Sequence, residues 1–284
     1  MTVRRFRESH SMNRVFRLAG VAGMLLLAGC QAVNTTSGGA VGVNRQQYMF
    51  SGLSSEELNQ QYAQSYRQTL SKAASSGRLD RNSALAQRVH NVTRRLIAQA
   101  PVFRPDAARW NWETNVIDSK ELNANAGPGG KIIVYSGLIQ QLNLTDDELA
   151  AVLGHEIAHA LREHSREAMS KAYGAELAKQ SAVALLGLGQ LGDDLAGAAV
   201  QYGMALPNSR ENENEADLIG LELAARAGYD PNAVISLWNK MSRAGGGAPP
   251  EFMSTHPSSS TRMANLQAAI PRVMPLYLQA RGRR

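Results

Sequence analysis

The sequence predicts an α+β protein, mostly helical with a small β-sheet. Segments of helical length and periodicity follow one another from residue 146 almost to the carboxyl end, whereas strand character is confined to residues 109–117 and 131–135. At 284 residues and 44% apolar composition the chain is long enough and apolar enough to bury a core, which excludes a disordered protein. A single cysteine excludes a disulfide framework and a cysteine-rich zinc finger. The formal charge of +6 is no nucleic-acid signal: Arg4, Arg5, Arg7, Arg14 and Arg17 against Glu8 carry +4 of it ahead of residue 30, leaving +2 for the rest.

Taken in order, the amino end reads as an address. A basic stretch precedes the apolar run Leu18–Ala28, too short to stay as a membrane span, so residues 1–29 are expected to be a signal peptide. The run closes on Leu27-Ala28-Gly29-Cys30, which resembles the lipobox of bacterial lipoproteins. That resemblance implies lipid on Cys30, and Gln31 behind it implies the outer membrane, on its periplasmic face. Residues 30–50 are expected as the lipidated cysteine and a tether, with 31–46 small, polar and flexible. Residues 51–284 then form the working domain.

Within it, helices are expected at 54–75, where Ser54 and Glu57 have capping spacing, and at 82–100. The strand at 109–117 (RWNWETNVI) alternates, and the strand at 131–135 (KIIVY) follows the turn Gly127-Pro128-Gly129-Gly130. Further helices follow at 146–173, opened by Thr145 and Glu148, and at 178–205, 209–227, 231–243 and 259–269. The stretch Ser181–Gly203 is apolar but broken by Asp193-Asp194, too short to span a bilayer; it reads as a core helix or a plug over a cleft.

The chemistry concentrates in Gly154-His155-Glu156-Ile157-Ala158-His159. Histidines four apart share a helical face, one turn apart, where both imidazoles can grip one ion. Glu156 lies about 100° round the helix, able to reach a water beside the ion without ligating it. A catalytic site needs a third ligand and an open position. The candidates are in Ser209–Asp217, where Glu213 and Asp217 are also four apart: one could bind the ion while Asp217 accepts the spare ring N–H of a ligand histidine. Spacing alone leaves Glu211, Glu213 and Glu215 as rivals, and a solvated acidic helix start is the plain alternative.

His155-Glu156-Ile157-Ala158-His159, followed 54 residues on by Glu213-Asn214-Glu215-Ala216-Asp217, resembles the gluzincin peptidases of the CAAX prenyl protease and HtpX family, most nearly their soluble periplasmic branch. No membrane helices flank the motif, unlike the integral-membrane members. The resemblance implies a zincin-like metalloprotease core and selects Glu213 as third ligand beside His155 and His159, with one Zn²⁺ per chain. Asn123–Gly130 resembles the family's edge-strand element beside the cleft, which implies that Lys131, Ile132, Ile133 and Val134 align substrate as an added strand. Asn125 stands where family members more often carry a bulky residue. Ser254-Thr255-His256-Pro257 with Arg262 resembles a loop near the metal. His256 has three open readings: a cap on the last helix, a donor to the developing oxyanion, or an occupant of the open zinc position. His164, five past His159, is expected to face solvent, and His90 to be structural.

The function so implied is a membrane-anchored periplasmic zinc endopeptidase, with Glu156 as base. Its partners would be unfolded or misassembled envelope proteins, the membrane, and outer-membrane assembly machinery, with no nucleic acid. The rivals are a chaperone-like scaffold with a latent or structural zinc site, and a zinc hydrolase of cell-wall material.

Overall fold

A computed structural model describes residues 29–186, 209–244, 251–256 and 260–282. These fall into two compact units interleaved along the chain. The expected leader lies almost wholly outside the described residues, as does most of Ser181–Gly203. Among the described residues no helix is long and apolar enough to cross a membrane.

The smaller unit pairs β1 (Cys30–Val33) antiparallel with β2 (Gln47–Phe50), setting Cys30 opposite Phe50. Its ribbon lies on a helix that begins at His164: buried Gln47 donates from Nε2 to Glu167 Oε2 at 2.9 Å, and the Phe50 amide donates to Ser170 Oγ at 3.0 Å. Cys30 is exposed.

The larger unit holds a mixed four-stranded sheet: β3 (Leu79–Asp80), β4 (Glu113–Ile117), β5 (Ala124–Gly127) and β6 (Lys131–Tyr135), in the order β3-β4-β6-β5. β4 and β6 run parallel, and the two outer strands are antiparallel to their neighbours. Alternation divides the faces. Val116, Ala124, Ala126, Ile132 and Val134 enter the main core, while Ile117 and Ile133 pack under α1 (Ser55–Ser75) through Tyr66 and Ala73. The two edges of this sheet are therefore β3, of two residues, and β5, of four. The expectation that Lys131–Val134 form the substrate edge is corrected: β6 is paired on both sides, and all four residues are buried. The run of apolar residues in KIIVY suits a strand covered on both faces.

Helices α2 (Ala84–Ile97), α3 (Ser136–Gln141), α4 (Asp146–Leu161), α5 (His164–Leu186), α6 (Arg210–Arg226), α7 (Ala233–Ala244), α8 (Glu251–Thr255) and α9 (Ser260–Gly282) complete the described residues. Three expectations change. The helix expected over 146–173 breaks after Leu161, where Glu163 takes the left-handed conformation (φ 52°). The strand expected from residue 109 starts at Glu113, because Pro105–Arg109 forms a 3₁₀ turn that receives the Trp112 indole N–H on the Ala107 carbonyl. Residues 34–45, expected to be tether, belong to this unit. Val41 and Val43 are buried in its core, and the Val41 amide donates to Glu222 Oε2 at 2.9 Å, so burial outweighs the polar, flexible composition around them.

Candidate metal centre

The site is built where α4 crosses α6. Thr145 and Glu148 close a reciprocal capping box that starts α4, and Lys240 holds Glu148 at 2.7 Å. Ser209 caps α6 by accepting from the Asn212 amide. Between them the helices touch backbone to backbone. A Cβ on Gly154 would lie 2.7 Å from the Gly220 carbonyl oxygen, and one on Gly220 would lie 2.6 Å from the His155 nitrogen. Only glycine allows this approach, and it falls one residue before His155.

That contact brings the candidate ligands together. His155 Nε2 lies 3.0 Å from His159 Nε2, and Glu213 carboxylate oxygens lie 3.4 Å and 3.3 Å from those two nitrogens. Donor atoms of His155, His159, Glu213 and His256 all fall within 4.8 Å of one another, and all four residues are buried. Glu156 Oε1 and Glu213 Oε2 are buried without a hydrogen bond among the described residues, although Arg262 Nη1 approaches Glu213 Oε2 to 2.9 Å as an ion pair. Buried oxygens left without donors are costly unless a cation or water meets them. Two imidazoles and a carboxylate are the donor set of catalytic zinc sites, so these residues fit a divalent cation.

The surroundings fix each group. Asp217 Oδ1 meets His155 Nδ1 at 3.0 Å, leaving Nε2 toward the centre. Arg262 grips both Asp217 oxygens at 2.6 and 2.7 Å, bonds the His256 carbonyl, and lies over Trp238. Burial opposes a proton on His155, but Asp217 and Glu213 outweigh it and raise its pKa to about 9. Burial drives His159 well below the ordinary histidine range, against the pull of Glu213. Burial pushes Glu213 up, yet bonds from three histidines hold it far below the usual carboxylate range. Glu156 is raised by burial, and its Oε2 accepts from the Ala126 amide on the open edge of β5 at 3.3 Å.

His256 turns its ring into the centre: Nδ1 lies 2.9 Å from Glu213 Oε1 and 3.2 Å from His155 Nε2, and Nε2 lies 3.4 Å from Glu156 Oε1. Phe252 stacks on it at 4.5 Å. The side chain therefore does not serve as a helix cap. Pro257, Ser258 and Ser259 and the Gly245–Pro250 stretch lie outside the described residues.

Two expectations are corrected. His164 is buried, with Nδ1 2.8 Å from His159 Nδ1, because the break at Glu163 turns it back under that ring. Glu215 is not solvated: it is buried among Arg45, Arg162 and His164, and those partners overcome burial to lower its pKa to about 2. Glu211 is exposed and takes no part; His90 is exposed. Arg262 was visible in sequence only as a loop residue, and its clamp on Asp217 had no spacing signal.

A family model described as Peptidase family M48 matches residues 83–270, and the chain belongs to that family. The chain is 38% identical to the mitochondrial metalloendopeptidase OMA1 of Schizosaccharomyces pombe over 186 residues, covering 64% of this chain and 52% of that protein. It is 38% identical to the Arabidopsis thaliana protein of the same name over 160 residues, covering 56% of this chain and 32% of that one. It is 28% identical to the beta-barrel assembly-enhancing protease of Escherichia coli over 212 residues, covering 69% of this chain and 41% of that protein. The chain thus spans about half or less of the length of these relatives.

Proposed function

We propose that this member of peptidase family M48 is a zinc-dependent endopeptidase acting on misfolded or stalled envelope proteins, anchored by lipid on Cys30 to the periplasmic face of the outer membrane. The observation that carries the hydrolytic part is the convergence of His155, His159 and Glu213 beside a buried, raised-pKa Glu156. When bound there, zinc would supply Lewis acidity toward the peptide carbonyl and ease deprotonation of water.

The chain's own residues do the rest. His155 and His159 offer Nε2, and Glu213 offers a carboxylate oxygen. Glu156 takes the proton of the attacking water at its carboxylate and returns it to the leaving amide nitrogen; burial raises its affinity for a proton, which helps it accept one. Ala126 presents its amide to the open edge of the sheet, so an extended substrate pairs with β5 beside Glu156. His256 supplies a fourth donor in this arrangement and has to swing out before substrate and water share the centre. Its replacement by alanine should therefore raise peptide turnover with zinc content unchanged.

The envelope reading is supported by the lipobox-like Leu27–Cys30, by the exposure of Cys30 and by the likeness to the beta-barrel assembly-enhancing protease of Escherichia coli. Unpaired strands of a stalled barrel suit strand addition at β5. The test is to incubate the purified protein with an unfolded outer-membrane barrel protein and with peptidoglycan, each with and without chelator. Chelator-sensitive cleavage of the barrel protein alone is expected. Cleavage of peptidoglycan instead would replace the substrate class, and no cleavage by wild type or by His256→Ala would favour a scaffold.

A further inference from the structure

His164 and Glu215 lie outside the groups used above, and both are buried. They stand in line behind one ligand ring. His164 Nδ1 is 2.8 Å from His159 Nδ1, and His164 Nε2 is 3.1 Å from Glu215 Oε2. Glu215 is itself held by two guanidiniums, Arg45 at 2.7 Å and Arg162 at 2.9 Å. Arg162 is fully buried and bonds the Arg45 carbonyl at 3.0 Å and Asn34 Oδ1 at 2.8 Å.

A contact between two ring nitrogens holds one proton, and its direction follows from the far ends of the chain. Glu215, facing two guanidiniums, is a carboxylate and can only accept, so His164 Nε2 carries a proton. A cation held at His159 Nε2 needs that nitrogen bare, so the single proton of the ring sits on Nδ1, 2.8 Å from His164 Nδ1. His164 Nδ1 is then the acceptor of that proton, with its own Nε2–H turned to Glu215. His159 Nε2 is left bare and faces His155 Nε2 and Glu213.

We propose that His164 is a positioning residue: it accepts the Nδ1 proton of His159 and so fixes the tautomer in which Nε2 can bind a cation, with Glu215 orienting His164 in turn. This rests on the metal reading above and adds a second support to it. His155 receives a carboxylate directly from Asp217, whereas His159 receives one through an imidazole.

Two amides separate the halves of the relay. Asparagine places its side-chain oxygen near the position of His164 Nδ1 but cannot reach Glu215. Glutamine reaches the Nε2 position, keeping a donor to Glu215, but leaves His159 without its acceptor. The purified full chain, stripped with chelator, is titrated with zinc against a competing chelator dye, and the unfolding temperature of each metal-free variant is recorded. His164→Gln should lose roughly 10–100-fold in zinc affinity, the usual scale for losing such a support, while His164→Asn stays within severalfold of wild type. The visible spectrum of bound cobalt should be perturbed in His164→Gln and retained in His164→Asn. The reverse order of affinities, or no loss in a folded His164→Gln, would overturn the proposal; that order would mean His164 serves Glu215 alone. If His164→Gln does not fold, a folded His164→Asn that binds zinc 10-fold or more weakly than wild type overturns it, and one near wild type supports it. A wild-type chain that takes up no zinc would sink the metal reading, a different result from either.

Discussion

The crossing of α4 and α6 and the nearby edge of β5 serve one centre by opposite means. At the crossing, backbone meets backbone through Gly154 and Gly220, and every ligand is buried and tied to a charged or polar partner. At the edge, the Ala126 amide faces away from its partner strand, and the neighbouring side chains are small or amide: Ala124, Asn125 and Gly127. Tyr62 of α1 covers Gly127 and meets Asn125 Oδ1 at 3.1 Å. The first region fixes positions to fractions of an ångström, as acid–base chemistry at a cation requires. The second offers main-chain bonds that tolerate varied side chains, as pairing with an extended chain of any sequence requires.

Substitutions at the crossing should therefore be costly and those at the edge mild. The largest effect is expected for Glu156→Gln, which should lower peptide hydrolysis by about 10²–10⁴-fold with zinc content unchanged, measured by turnover and metal analysis. Gly220→Ala comes next. Its methyl group would sit 2.6 Å from the His155 nitrogen, so the helices must part. It should destabilise the fold by about 1–3 kcal/mol in denaturant titration and weaken zinc binding. Asp217→Ala should cost roughly 10–100-fold in zinc affinity, since it removes the acceptor at His155 and leaves Arg262 buried beside a truncated partner. Smallest is Tyr62→Phe, which removes one hydrogen bond over the edge strand. It should shift kcat/KM among peptide substrates by about tenfold at most, without altering zinc affinity. A large effect of Tyr62→Phe on zinc binding would erase the division between the regions.

How much the sequence disclosed follows the same division. Helical spacing of His155 with His159 and of Glu213 with Asp217, plus the cap at Thr145, announced the two helices that carry the ligands, because those signals are local. The Gly154–Gly220 contact was hidden, since a glycine within a helix does not say what it touches. His164 was misplaced for a related reason. On a continuous helix it would point about 140° from His159. The helix breaks at Glu163, a non-glycine residue in the left-handed region, with no proline or glycine to warn of it. The edge was misassigned although a signal existed. The resemblance at Asn123–Gly130 fell on the edge strand β5 itself, but the substrate-aligning residues were placed on KIIVY, a continuous apolar run and so the mark of an interior strand. Val41 and Val43 were overlooked because two valines among glycines and polar residues form no period.

The central claim, that two imidazoles and one carboxylate hold a divalent cation at the α4–α6 crossing, is tested most directly by zinc stoichiometry. Chelator-treated wild type and Glu213→Ala would be dialysed against zinc and analysed for bound metal. One tightly held equivalent in wild type and its loss in a folded Glu213→Ala are the expected results. No bound metal in wild type, or full retention without Glu213, would contradict the account.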